Sequence, residues 1–209
     1  MIFLKKKFIT LCTFVFLLVG CSKAYAQNTT YTVLPGDSMW KIAVKFEVGL
    51  SEIISLNPQI SNPSMILPGQ KLTIPNIQDV KTIENKVISL VNAERSKSGL
   101  QPFKTNWELS RIARYKSQDM INKNYFSHTS PTYGSPFNMI ENFGIKFSAA
   151  GENIAMGQRT AEEVMNSWMN SPGHRSNILN PTYTEIGVGL AKNANGQCYW
   201  TQMFIKPMY

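Results

Sequence analysis

Two histidines stand in this 209-residue chain, and each sits in a setting that invites chemistry. His128 follows an aromatic residue and a serine in NYFSHTSP, and His174 follows a Pro-Gly pair in NSPGHRSNIL. A neutral imidazole ligates zinc well and can act as a general acid or base near neutral pH. Ser127, Ser130 and Ser171 lie close to the histidines in sequence, which raises the question of a Ser–His hydrolase. None of them lies in a nucleophile elbow, and the zinc-peptidase His-Glu-x-x-His signature is absent. A glycosidase needs two opposed carboxylates; Glu152 in AAGENIAMG is one, and no partner is identifiable. Each group also has a plain structural reading. His128 can cap a turn in competition with Ser127, Thr129 and Ser130, and Glu152 can be a buried carboxylate satisfied by backbone amides. Cys198, just before Tyr199-Trp200 in a strand-like segment, reads as a buried inert thiol. An enzyme is therefore not the favoured class.

The elements that must position these residues fall into two blocks. In the second, residues 84–100 have helical spacing through Val87, Leu90, Val91 and Ala93, with Gly99 as a stop. Residues 107–122 form a second helix whose stripe is Leu109, Ile112, Ala113, Tyr115, Lys116 and Met120. Residues 161–169 form a third, capped by Thr160, with Glu162 and Glu163 in its first turn. Strands are predicted over 150–156, 185–191 and 198–205, the last two joined as a hairpin around Asn193-Ala194-Asn195-Gly196. Helices mixed with antiparallel strands imply α+β layers.

The first block, residues 31–75, reads strand, helix, helix, strand. Tyr31-Thr32-Val33 alternates, Pro35-Gly36 turns, and Asp37 or Ser38 caps a helix with Trp40, Ile42 or Ala43, and Phe46 on its apolar face. A second helix over 51–56 is stopped by Asn57-Pro58, and Lys71-Leu72-Thr73-Ile74 closes the block. Residues 76–83 lack a pattern and read as a short linker to the second block, residues 84–209.

Composition sets the class. With 43% hydrophobic and 16% charged residues the chain is globular in type. Lys5, Lys6 and Lys7, a short apolar run and Ala24-Tyr25-Ala26 have the three-part layout of an export signal over residues 1–26. Leu18-Val19-Gly20-Cys21 is an alternative, a lipobox that would lipidate Cys21 and so provide the only membrane attachment expected. Removing residues 1–26 takes four lysines and no acids, lowering the formal net charge from +8 to +4. That mild charge suits acidic wall polymers, and no arginine-rich stripe with interleaved aromatics argues for nucleic acid. Of the three cysteines only Cys198 remains after cleavage at Ala26, so no internal disulfide is expected.

Against this reading, YTVLPGDSMWKIA, LNPQISNP and LPGQKLTIP resemble a LysM module almost end to end. The resemblance implies binding of N-acetylglucosamine-containing glycans, peptidoglycan or chitin, in a shallow groove. Carried onto this chain, the groove maps to Gly36, Asp37, Ser38 and Met39 and to Pro63, Ser64, Met65 and Ile66. For Asp37, helix capping is the competing role. Many such modules have glycine after the aromatic that ends the first helix; here Glu47 follows Phe46, at a cost of about 1 kcal/mol in a left-handed cap, and Gly49 is placed to relieve it.

A second resemblance rests on VNAERSKSGLQPF, NYFSHTSP, AAGENIAMG, WMNSPGHRSNILNP with TEIGVG, and YWTQMF. Together, over about residues 87–206, these look like a bacterial CAP (SCP-like) domain, as found in secreted proteins of spore-forming bacteria that pair it with LysM. The implied fold is a small βααβ LysM module followed by an α-β-α sandwich. The family's central cleft is lined by two histidines and two glutamates, here His128, Glu152 and His174, with Glu162, Glu163 and Glu185 as open choices for the fourth. In several members the cleft holds a divalent ion, often zinc, so the resemblance makes His128, His174 and Glu152 candidate metal ligands. The expected whole is an exported, wall-associated glycan-binding protein presenting that cleft to an ion or ligand. A wall or peptide hydrolase and a spore-coat or cortex component are the alternatives.

Overall fold

The computed structural model describes residues 28–208. The export signal, the Cys21 lipobox and the cleavage site at Ala26 lie outside the described residues. The first block is built as the sequence implies. Strand β1 (Thr29–Thr32) pairs antiparallel with β2 (Lys71–Ile74), Thr29 opposite Ile74, and helices α1 (Met39–Phe46) and α2 (Leu50–Leu56) fill the interval. Ser38 is the cap: its Oγ accepts from the Lys41 N–H at 3.2 Å. Asp37 instead braces the turn, accepting from the Tyr31 hydroxyl at 2.7 Å and the Leu34 N–H at 2.8 Å. Those bonds hold its carboxyl below the usual range. Met39, Ile42, Ala43, Val48, Ile53, Leu72 and Ile74 bury a small core. Trp40, expected on the apolar face of α1, is 53% exposed, because Met39 takes the inward position beside it. Asn57 staples α2 to β2: its Nδ2 donates to Ile53 O and Thr73 O, and its Oδ1 accepts from the Thr73 N–H.

Glu47 closes α1 in the left-handed region, φ 55°. Gly49 does not absorb that turn; it is extended, φ −71°, and caps α2. Glu47 forms a salt bridge to Lys81, in the segment read as a linker. Gly49 lies under Tyr115, so close that an added Cβ would be 2.4 Å from the phenol oxygen. Tyr115 also hydrogen-bonds Glu52, and burial together with that carboxylate raises the phenol's pKa. The two blocks are therefore docked on each other. The residues read as a linker are mostly helix: α3 runs Gln78–Lys97, its first turns carrying Lys81 to Glu47 and Glu84 into the interior.

The second block is a three-layer sandwich. Its sheet has the order β3-β5-β6-β4, formed by β3 (Lys104–Thr105), β4 (Phe147–Met156), β5 (Glu185–Lys192) and β6 (Cys198–Pro207). Only the β3–β5 pairing is parallel. On one face, Val87 and Val91 of α3 and Val164 and Trp168 of α6 (Ala161–Met169) pack on Ile186, Val188, Trp200 and Phe204. On the other, Leu109, Ile112 and Ala113 of α4 (Trp107–Asn122) and Met139 and Ile140 of α5 (Pro136–Asn142) cover Met203 and Ile205. α4 matches its predicted span, with Asn106 Oδ1 capping the Leu109 N–H. It lies directly on β5: a Cβ on Gly189 would fall 2.0 Å from the Arg114 N, and one on Gly187 would fall 2.4 Å from the Leu109 carbonyl carbon. Ser117 Oγ bridges Gly189 O and Thr201 Oγ1 at 3.0 and 2.9 Å. Helix α7 (Pro172–Ile178) begins at the Pro-Gly pair ahead of His174. Arg95 ties α3 to the end of α7, donating to Ile178 O and Asn180 O. Cys198 is buried and free.

Two outcomes follow from this packing. Gly189→Ala drives a methyl into helix backbone and lowers unfolding stability by about 3 kcal/mol, read from the denaturation midpoint at constant m. Glu84 is buried, accepts from the Leu190 N–H, and pairs with Arg114 Nε at 3.2 Å. Burial pushes its carboxyl from 4.5 up to about 7, against Arg114 and that N–H. A folded-state pKa above the unfolded one gives stability that is full below the unfolded pKa and lost as pH rises through about 7. Urea titrations across that window should show the wild-type advantage over Glu84→Gln shrinking with rising pH; a constant difference would contradict this.

Candidate functional site

The site gathers around β4, one of the two edge strands of the sheet. Strand alternation sends Glu152 toward the α4 face and Asn153 toward the opposite one. The loop after α4 carries His128 back over Glu152, and its Nδ1 lies 2.7 Å from Glu152 Oε1. When Glu152 is ionised it can only accept, so Nδ1 then carries the hydrogen and Nε2 is left free of that bond. The Glu152 side chain is 2% exposed while that of His128 is 53% exposed, so a buried acid orients a solvent-reachable imidazole. Burial raises the Glu152 carboxyl, opposed by His128 and by the charge of Lys116. Glu152 Oε2 is buried without a hydrogen-bond partner.

Lys116 explains how the loop is held. It is 1% exposed, its ammonium donates to His128 O, and it sits 5.3 Å from the centre of the Tyr125 ring. Burial lowers its pKa, against the pull of Glu152 and Asp119. Asp119, one turn along α4, accepts from Tyr125 at 2.7 Å, Ser130 at 2.7 Å and Thr132 at 2.6 Å. Burial would raise its carboxyl, but those three hydroxyls and Lys116 hold it low. Ser130 Oγ in turn accepts from the Thr132 and Tyr133 N–H groups. The charged residues of α4 thus lock residues 123–135 in place.

His174 is the third residue of α7, and burial, with the nearby charge of His128, lowers its pKa. Its backbone is clamped to the sheet. Asn153 Nδ2 donates to His174 O at 3.1 Å and to Gln202 Oε1 at 2.9 Å. Asn177 Nδ2 reaches Glu152 O at 3.2 Å and Asn153 Oδ1 at 2.9 Å. The structure therefore brings His128, Glu152 and His174 into one neighbourhood.

The three glutamates considered as a fourth member lie elsewhere. Glu162 pairs with Lys86 on the surface, and Glu163 accepts from the Arg159 N–H beside the start of α6. Glu185 accepts from Asn106 Nδ2 and is on β5, separated from β4 by β6. The serines are structural too: Ser130 is 3% exposed on Asp119, and Ser127 Oγ accepts from the Thr129 N–H. Glu152 Oε1 is engaged by His128 and the charge of Lys116 acts on the same carboxylate, so Glu152 is placed to orient the imidazole rather than to ligate an ion itself, leaving His128 Nε2 and His174 as the candidate donors. Among the described residues no three His, Cys, Asp or Glu side chains are grouped to hold an ion. Sequence reasoning missed Lys116, Asp119, Asn153 and Asn177; the available signal was a lysine within the apolar stripe of α4.

In the first block, Gly36, Ser38, Ser64 and Met65 are exposed, Asp37, Pro63 and Ile66 are half-buried, and Met39 is 4% exposed, so the Met39 side chain belongs to the core. Leu34, Met65 and Leu67 are 53, 70 and 65% exposed near the same loops.

A charge test isolates the buried cluster. Glu152→Ala strands Lys116 and should destabilise by about 3 kcal/mol. In a double-mutant cycle, adding Lys116→Met should recover part of that loss, read as a coupling energy between the two sites. Strict additivity would refute the coupling.

Comparison with known proteins agrees with the two-block architecture. The profile of CAP, the Cysteine-rich secretory protein family, matches residues 88–204, and that of the LysM domain matches residues 31–75. "Uncharacterized protein YkwD" of Bacillus subtilis is 58% identical over 126 residues, 60% of this chain and 48% of that protein. "Uncharacterized membrane protein YlbC" of the same organism is 34% identical over 190 residues, 86% of this chain and 54% of that protein. The chain spans about half the length of these curated relatives. Among the described residues no helix is long and apolar enough to cross a membrane. The crystal structure of an extracellular SCP-domain protein from Bacillus anthracis superposes with TM-score 0.56 at 34% identity, covering 66% of this chain and 47% of that one. With more than half its length matched in family order, and with the sandwich that order implies, the chain belongs to the CAP, or cysteine-rich secretory protein, family and carries a LysM domain ahead of that fold.

Proposed function

We propose that this protein is exported and held at peptidoglycan or a similar N-acetylglucosamine polymer by its LysM module, while the CAP domain presents the His128–Glu152–His174 site to a polar ligand. The single observation that carries the cleft reading is the 2.7 Å His128–Glu152 pair. It combines a solvent-reachable imidazole with a buried carboxylate whose second oxygen is unpartnered. A buried polar atom left without a partner is costly, so an unsatisfied oxygen beside an exposed ring supports ligand capture. The LysM part is supported by the family match and by the exposed loops around Ser64 and Met65.

A wall or peptide hydrolase is the second reading. It is favoured by one observation, the raised Glu152 carboxyl beside an imidazole, which is an acid–base pair in form. Against it, Ser127 and Ser130 are committed to loop hydrogen bonds. A spore-coat or cortex role is supported by the resemblance and by a short similarity, 41% identity over 46 residues, to "Spore coat assembly protein ExsA" of Bacillus cereus.

Pelleting with purified wall sacculi checks the tether. Full-length protein should pellet, Met65→Asp should pellet markedly less, and His128→Ala should pellet like wild type. Equal pelleting of Met65→Asp would refute the LysM assignment. Labelled muropeptides incubated with wild type and His174→Ala separate binding from hydrolysis: release by wild type alone would establish the enzyme instead.

A further inference from the structure

A cavity of about 590 Å³ lies between α3 and α4, away from the histidine site and roofed by Glu47 of the LysM module. Its volume falls in the range of small-molecule sites, about 300–1,000 Å³. One wall is a polar stripe on α3. Asn85 and Ser89 are exposed one turn apart, and Asn92, a turn further, is fixed by bonds to the backbone of Phe103. The facing wall is α4, with the half-buried ring of Trp107 and, one and two turns on, Ser110 and Arg114. The charges of the cavity are already matched. Glu84 pairs with Arg114 in its interior and Glu47 with Lys81 at its LysM end. With two acids and two bases on its walls the cavity favours neither sign of charge, and an apolar ligand would cover the exposed Asn85 amide without giving it a partner. What fits is a neutral ligand with hydroxyl and amide groups on its edges and a C–H face to lay on an indole.

We infer that this cavity is a second saccharide site, distinct from the LysM groove, for neutral sugars of the N-acetylhexosamine type. Both modules contribute to it, through Glu47 on one side and α3 and α4 on the other. It deepens the glycan-binding reading, from which it takes the choice of probe. The docking contacts of Tyr115 on Gly49 and Glu52 hold Glu47 over the cavity. A glycan strand bound at two points on one rigid chain gains avidity that an isolated module lacks.

The test uses the full chain and titration calorimetry with chitotetraose as the N-acetylated probe and cellotetraose as the probe lacking acetamido groups. Wild type should bind chitotetraose at two sites, and Met65→Asp should retain one. Adding Asn85→Lys, or separately Trp107→Ala, should weaken that remaining site at least about tenfold, equivalent to 1.4 kcal/mol. Asn85 is exposed, so its substitution leaves the fold intact and guards against a misfolded Trp107 variant. Binding by wild type that disappears entirely in folded Met65→Asp would overturn the second site and leave the LysM reading standing. Binding unchanged in Met65→Asp but lost in Asn85→Lys would do the reverse. Equal affinity for cellotetraose would overturn the N-acetylhexosamine assignment, and no binding by wild type would overturn both readings.

Discussion

Contact between the backbone of α4 and strand β5 is the constraint on which the rest is built. Without side chains at Gly187 and Gly189, the helix lies on the strand with no intervening layer. That fixes the height and rotation of α4 over the sheet, and a helix so fixed sends its other faces to definite places. Lys116 and Asp119 reach the loop that carries His128. Tyr115 leans on the LysM module at Gly49, and Trp107 and Arg114 face α3 across the junction cavity. One packing decision thus orients a candidate cleft, an inter-module contact and a second polar cavity.

The charges around His128 pair with one another and leave one atom, Glu152 Oε2, without a hydrogen-bond partner. Lys116 is stem-buried and head-paired, with a carbonyl, two carboxylates and an aromatic face around its ammonium. A buried cation of this kind adds little net stability compared with a well-packed apolar side chain, but removing one partner from the cluster is expensive. The cluster is better understood as a positioning device. It holds a loop without regular secondary structure against the sheet, where Glu152 can define the tautomer of His128. Asn153, Asn177 and Gln202 do the corresponding work for α7 with neutral amides, in a buried position where a charge would be costly, and Gln202 Nε2 is left there without a partner.

Much of the fold was legible because it is local. The stripe from Leu109 to Met120 repeats at helical spacing with a capping asparagine ahead of it, and α4 occupies the expected residues. Thr160 and Ser38 cap as side chains of their type do. Failures came where local preference met tertiary packing. Gln78, Asp79, Lys81 and Thr82 look like linker, yet Val80 and Ile83 pack on the core and draw the helix forward to include them. Pro172-Gly173 looks like a turn, but proline is also favoured at the first position of a helix, and α7 uses it there. Trp40 has the spacing of an inward residue, yet in a helix of eight residues Met39 competes for the same face and wins it.

By itself the sequence determined the two modules, most helix and strand identities and the caps, and it named His128 and Glu152, which the fold pairs. These follow from interactions a few residues apart or from motifs in a recognisable order. Only the tertiary structure decided that Glu152 orients His128, that Lys116 and Asp119 support them, that Glu162, Glu163 and Glu185 stand apart, and that the modules touch at Glu47 and Gly49. Those outcomes depend on which face of an edge strand each side chain takes and on how closely a helix can approach glycines dozens of residues away, and neither distance is encoded in local periodicity.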